Sequence, residues 1–120
     1  MSCTDAALTL TGTSILDWSV NGRSTRRPDY PDSNHSEHPA MAPHYVYPCR
    51  GDDEWIAIVC RDDVEWRRLS EAIGSEWAAS ERYVRLAGRL ANQAELDAKL
   101  AAWTRSHQKY ALARKLQTVG

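Results

Sequence analysis

The run Trp55-Ile56-Ala57-Ile58-Val59-Cys60 is apolar at every position, and it constrains the fold more than any other stretch. It is too short for a membrane span or an ordinary helix and suits a strand. Alternate strand residues point to opposite faces, so Trp55, Ala57 and Val59 share one face and Ile56, Ile58 and Cys60 the other. A strand apolar on both faces is expected to be covered on both. Tyr45–Cys49 reads as its partner, with Arg50-Gly51-Asp52-Asp53 as the turn, which predicts a β-hairpin. A two-stranded hairpin is marginal in water, so a third strand is expected against it, one that this chain ends before supplying.

The remainder reads mostly as helix. Asp5 to Val20 carries an apolar face through Leu8, Ile15 and Trp18, with Gly12 as a break point and Asn21-Gly22 as a stop. After the hairpin, Asp62 and Glu65 have the spacing of a capping box, and Trp66, Leu69 and Ile73 share a helix face that ends at Gly74. Trp77 to Leu90 reads as short helical turns. Asn92 and Glu95 predict a second capping box, followed by Leu96, Leu100 and Trp103 at i, i+4 and i+7. A last helix is expected over Lys109 to Thr118, with Leu112, Leu116 and Val119 inward. The tryptophans Trp18, Trp66 and Trp103 are expected in the core. The fold class is α+β, with a helix, a long loop, a hairpin and then three to four helices. The organisation expected is a linker helix (1–22), a Pro/His-rich loop (23–43) and a small α+β domain (44–120), truncated at its C-terminus. Four of the five prolines, Pro28, Pro31, Pro39 and Pro43, fall in that loop. Long loops inside compact domains are commonly lids or binding loops.

The formal charge of -1 over 120 residues gives no long-range attraction to nucleic acid or an anionic membrane. No signal peptide or spanning segment is evident, so a cytoplasmic location is expected. Three widely spaced cysteines, Cys3, Cys49 and Cys60, fit reduced thiols rather than a disulfide framework. The arginines of Arg23/Arg26/Arg27, Arg67/Arg68 and Arg82/Arg85/Arg89 are expected at the solvated surface. The alternative for them is contact with the phosphates of a nucleotide cofactor. Asp52/Asp53 and Asp62/Asp63 sit where turn and cap roles account for carboxylates. His35, His38, His44 and Cys49 form the one candidate metal-ligand set, a possible zinc site without the close ligand pairs such sites normally show.

Many short elements in order resemble the family III CoA-transferases. They are Asn34-His35, then Met41-Ala42-Pro43-His44, Tyr47-Pro48-Cys49 with Gly51-Asp52-Asp53, and Trp55-Ile56-Ala57-Ile58 leading to Asp62-Asp63-x-x-Trp66. Downstream, Ala87-Gly88-Arg89 with Ala91-Asn92, Glu95-Leu96-Asp97 and Ala102-Trp103-Thr104 agree. Upstream, Thr11-Gly12, Leu16-Asp17-Trp18 and Asn21-Gly22-Arg23 also fit. The group includes formyl-CoA transferases, CaiB/BaiF proteins and α-methylacyl-CoA racemases. The resemblance implies a small-domain segment whose parent moves CoA between an acyl thioester and a carboxylic acid, or in the racemase branch exchanges a proton beside the thioester carbonyl. The family's catalytic aspartate and most of its CoA pocket belong to a large domain, so no residue here is expected to be catalytic. The chain is then a fragment or split subunit. Its expected partner is the large CoA-binding domain, in the same enzyme or another chain, and a homodimer is possible. A CoA thioester is the parent's substrate, and no tightly bound cofactor is expected. Asn34, His35 and His44 are the candidates for contact with bound acyl-CoA, beside ordinary loop packing. A non-catalytic interaction module built on the same domain is the alternative. Departures from the family include Ser33 and Tyr45 where relatives usually have Gly, Gln108 at a common Ser/Thr cap, and no Gly between Arg23 and Arg50.

Overall fold

The computed structural model describes Thr4 and residues 11–22, 35 and 39–119. The chain divides into two compact units, Met1–Ser33 and Asn34–Gly120.

In the first unit, α1 spans Gly12–Asn21 and ends at Gly22, whose N–H bonds the carbonyl of Trp18 at 3.0 Å. Gly12 is the first residue of this helix. Ile15, Leu16, Trp18 and Val20 are all exposed, so Trp18 is not a core residue as the apolar pattern predicted. Leu8 and the rest of the predicted helical stretch before Thr11 lie outside the described residues.

In the second unit, β1 (His44–Pro48) and β2 (Trp55–Val59) pair antiparallel, with Tyr47 opposite Ile56 and Val46 opposite Ala57. The Cys49 N–H to Glu54 carbonyl bond and the Cys60 N–H to Pro43 carbonyl bond close the two ends of the ladder. Alternation along an antiparallel pair then makes Tyr47/Ile56 and Tyr45/Ile58 the mutually bonded pairs. Pro48 falls at a position whose missing N–H would have pointed away from β2, where proline is tolerated. Gly51, at φ +126, sits in the connecting turn.

Five helices follow: α2 (Asp63–Ile73), α3 (Glu81–Val84), α4 (Leu86–Ala91), α5 (Gln93–Thr104) and α6 (Lys109–Val119). α5 packs against β1, and α6 against α2 and β2. The core gathers Tyr47, Ile58 and Cys60 from the hairpin region, Trp66, Leu69 and Ile73 from α2, Ala78 and Tyr83, and Leu96 and Leu100 from α5. This is an α+β domain, with two strands and no third strand among the described residues.

Only one face of β2 is covered. Ile58 and Cys60 are buried, but Trp55, Ala57 and Val59 are exposed, against the expectation of cover on both sides. Two helices, α5 and α6, pack against the hairpin, and Tyr47 and Ile58 on its inner face are buried.

The first cap forms with a shift. Asp62 accepts from the N–H groups of Val64 (2.9 Å) and Glu65 (2.8 Å). Glu65 reaches back not to Asp62 but one residue further, to the N–H and guanidinium of Arg61. Gly74, at φ +69, ends α2 in the left-handed conformation that L side chains resist. The second predicted capping box does not form. α4 runs into α5 with no extended residue between them, and the Asn92 side chain turns back to the carbonyl of Gly88 (2.8 Å) as an end cap of α4. Glu95 instead pairs with Arg82 (2.8 Å) and Lys99 (3.1 Å). In α6, Leu112 is buried and Leu116 packs on the core, but Val119 is 36% exposed rather than inward.

Candidate functional site

The inner face of the hairpin meets α5 at a polar cluster. Alternation sends Tyr45 and Tyr47 inward, and Asp97 lies on the α5 surface facing them. The Tyr47 hydroxyl donates to one Asp97 oxygen at 2.6 Å, and His35 Nε2 lies 2.8 Å from the other. The His35 ring also packs on Tyr45, with centroids 4.9 Å apart. The side chains of His35 and Asp97 are 5% and 17% exposed. Burial first, and then the Asp97 charge, push the Tyr47 phenol far above its ordinary pKa, so it remains a donor. Both oxygens of Asp97 are thus engaged, which suits it to tie His35 and β1 to α5.

The predicted ligand residues separate around this cluster. His35 lies on the inner side with Asp97. His44, half-buried at the start of β1, belongs to the opposite strand face from Tyr45. Cys49 is buried just past the end of β1. Asn34 and His38 lie outside the described residues. Among the described residues no three His, Cys, Asp or Glu side chains converge on a point that would hold a metal.

A second polar centre was not expected from the sequence. Arg89, predicted at the solvated surface, is fully buried. Its Nε donates to the Ala42 carbonyl (2.7 Å), one terminal nitrogen to the carbonyls of Tyr83 (2.9 Å) and Val84 (3.1 Å), and the other to the Asp62 carbonyl (3.3 Å) and Asp63 Oδ1 (3.0 Å). The guanidinium also sits over the Trp66 ring, 5.5 Å from its centroid. A buried charge is tolerable only when paired and fully hydrogen-bonded, and only the forked guanidinium can serve this many acceptors. The signal available was Gly88 beside it. A Cβ there would stand 2.1 Å from the Arg82 carbonyl oxygen, so the backbone passes too close for any other residue.

Arg67, Arg68, Arg82 and Arg85 are exposed, with Arg82 paired to Glu95 and Arg85 placed 3.6 Å from Asp63, and Arg23, Arg26 and Arg27 lie outside the described residues. A groove of about 500 Å³ runs along the outer side of α2, where Arg67 and Arg85 are balanced by Asp63 and Glu71 over a floor that includes Ala78 and Val84. Balanced charge offers no focused field for a phosphate. The candidate carboxylates are mostly engaged in structure: Asp53 accepts from the Trp55 indole (2.8 Å), Asp62 caps α2, and Asp63 accepts from Leu86 N–H (2.8 Å) as well as from Arg89. Asp52 is exposed in the hairpin turn. Burial raises the Cys60 thiol to about 12, which makes it a packing residue at neutral pH.

An α+β domain of this sequence, with its carboxylates given to caps, turns and ion pairs, is similar to parts of known acyl-CoA enzymes. The sequence model of CoA-transferase family III matches residues 1–120, and the chain belongs to that family. A Mycobacterium tuberculosis protein described as a probable CoA-transferase is 43% identical over 84 residues, covering 69% of this chain and 11% of the relative. The succinyl-CoA–D-citramalate CoA-transferase of Chloroflexus aurantiacus is 39% identical over 67 residues, covering 55% of this chain and 16% of the relative. The chain therefore spans a small fraction of the length of these relatives. Among the described residues no helix is long and apolar enough to cross a membrane.

Proposed function

We propose that this chain serves as the small-domain segment of a family III CoA-transferase, as a fragment or a split subunit, and is not catalytically complete alone. The observation that carries this reading is the combination of a family match along all 120 residues with carboxylates already committed to structure. Family chemistry calls for a free carboxylate that attacks the acyl-CoA carbonyl and expels CoA thiolate, leaving a mixed anhydride. Asp62, Asp63 and Asp97 instead hold hydrogen bonds that the fold needs. The parent enzyme passes CoA from an acyl thioester to a carboxylic acid, and a large CoA-binding domain, in cis or in trans, supplies the nucleophile and most of the CoA pocket. The segment from residue 34 to His44 is where contact with bound acyl-CoA is placed in this reading.

The test uses the Chloroflexus aurantiacus relative with its matching 67 residues deleted, co-expressed with this chain. CoA transfer from succinyl-CoA to a carboxylate is measured for each polypeptide and for the pair. Activity from the pair alone, with co-purification, is the expected result. Turnover by the 120-residue chain alone would sink the reading. Failure of the two to co-purify would favour an independent interaction module of the same fold.

A further inference from the structure

We infer that Asp97 is a positioning residue for the proposed reaction: acting through His35, it fixes the start of the segment leading to His44 in the place that acyl-CoA requires. This inference rests on the CoA-transferase reading and names residues that serve the site placed there. An ionised carboxylate only accepts hydrogen bonds. With the Tyr47 hydroxyl donating to Asp97 Oδ1, the 2.8 Å contact between His35 Nε2 and Oδ2 is a donated N–H, so Asp97 fixes which ring nitrogen carries a proton. Tyr45 packs against the same ring, with centroids 4.9 Å apart and planes inclined by 39°. The ring is held at one edge and on one face, and the His35 side chain is 5% exposed. At that burial His35 acts through the backbone it carries and not by touching substrate.

The far end of the segment is gripped as specifically. Arg89 Nε donates to the Ala42 carbonyl at 2.7 Å, and the Cys60 N–H to the Pro43 carbonyl at 2.9 Å. Two charged side chains on different helices, Asp97 on α5 and Arg89 on α4, therefore hold the two ends. Apolar contact is enough to seat a loop. A charge-assisted hydrogen bond from a part-buried group is directional as well, and holding a site to within about 0.5 Å calls for such supports. Arg89 also serves Tyr83, Val84, Asp62 and Asp63, so its loss disturbs the fold at large. Asp97 instead joins His35 and Tyr47, and a change there separates the placing of the segment from the folding of the domain.

The test uses the co-expressed pair described above, with succinyl-CoA as donor. Asp97→Ala and His35→Leu each remove the anchor, and each is expected to raise KM for succinyl-CoA, by up to about 100-fold, with KM for the accepting carboxylate unchanged. The double variant should be no worse than either single one, because the two side chains act as a unit. Loss of structure alone lowers the active fraction, and so kcat, but neither KM. Leu112→Ala, a core change on α6, is expected to behave in that way. His35→Gln keeps an amide donor for Asp97 and should recover part of what His35→Leu loses; this comparison decides if Asp97→Ala does not fold. Nitrogen-15 NMR of the 120-residue chain reads the ring directly, and His35 is expected to carry a proton on Nε2. An Nε2 without a proton, a KM for succinyl-CoA that stays within about twofold of the parent's in Asp97→Ala, or equal losses in His35→Gln and His35→Leu would each overturn the proposal. An inactive parent pair whose chain carries the Nε2 proton would count against the CoA-transferase reading while supporting the hold of Asp97 on His35.

Discussion

Replacing Arg89 by methionine removes the charge and all the donors while keeping most of the volume. The loss leaves the carbonyls of Ala42, Tyr83, Val84 and Asp62 short of a donor and the Asp63 carboxylate short of its buried partner. Breaking a buried pair by removing one partner costs about 3–5 kcal/mol. The described small domain is expected to have a total stability of roughly 5–10 kcal/mol on the per-residue scale, so the substitution removes a large share of it. With a urea slope of about 1–3 kcal/mol per molar, the unfolding midpoint should fall by more than about 1 M. Arg89→Lys, which keeps the charge but loses the fork, should fall between parent and Arg89→Met. Asp63→Asn closes a double-mutant cycle and separates the ion pair from the carbonyl contacts. The assay is equilibrium urea unfolding followed by circular dichroism. An Arg89→Met protein within about 1 kcal/mol of the parent would refute the argument that this buried cation holds the fold.

Gly88→Ala should destabilise by about 1–3 kcal/mol or more, as overpacking does, because the new Cβ meets the Arg82 carbonyl oxygen and not a side chain that can move; thermal melting checks it. Tyr47→Phe removes the donor to Asp97 and should cost about 1.5–3 kcal/mol, the range for hydrogen bonds to charged groups; an unchanged melting temperature would count against the cluster's structural role. The carboxyls of Asp62, Glu65 and Glu95 are held low, chiefly by the Glu65 N–H, the Arg61 side chain and the Lys99 side chain respectively. Their folded values lie below the unfolded ones, so their contribution is fully present above the unfolded pKa near about 4 and is lost as pH falls through the folded values. Urea midpoints should therefore be flat above that range and drop below it. In a Cys3→Ser chain, a thiol reagent at pH 8 should leave Cys60 unmodified until denaturant is added, since burial holds its pKa at about 12; rapid native labelling, mapped by mass spectrometry, would contradict that.

The hairpin and the helices after it were legible because their signals are local. The continuous apolar run at 55–60, the Asp62 cap and the Gly74 stop each depend on a few neighbouring residues. Among the described residues nothing supplies the cover that double-sided apolarity implies for Trp55, Ala57 and Val59, which are exposed. Arg89 and Asp97 were not legible as structural centres. Their partners lie up to 47 residues away for Arg89 and 62 for Asp97, and periodicity carries no information at that range. Asn92 misled for a different reason: its spacing to Glu95 fits a cap, but a side chain at a helix–helix junction can serve the helix behind it instead.

The separations joined at Arg89 also bear on the order of folding. Its contacts with Tyr83 and Val84 close loops of 6 and 5 residues, those with Asp63 and Asp62 close 26 and 27, and that with Ala42 closes 47. Loop-closure entropy rises with length, so the local contacts can form while the chain is still open and the Ala42 contact is the costliest to make. On this basis the guanidinium is preorganised by its own neighbourhood, receives the start of α2 next, and captures the segment leading into β1 last. The hairpin itself closes through a short turn, so it is the docking of its entry at Ala42 onto Arg89 that comes last.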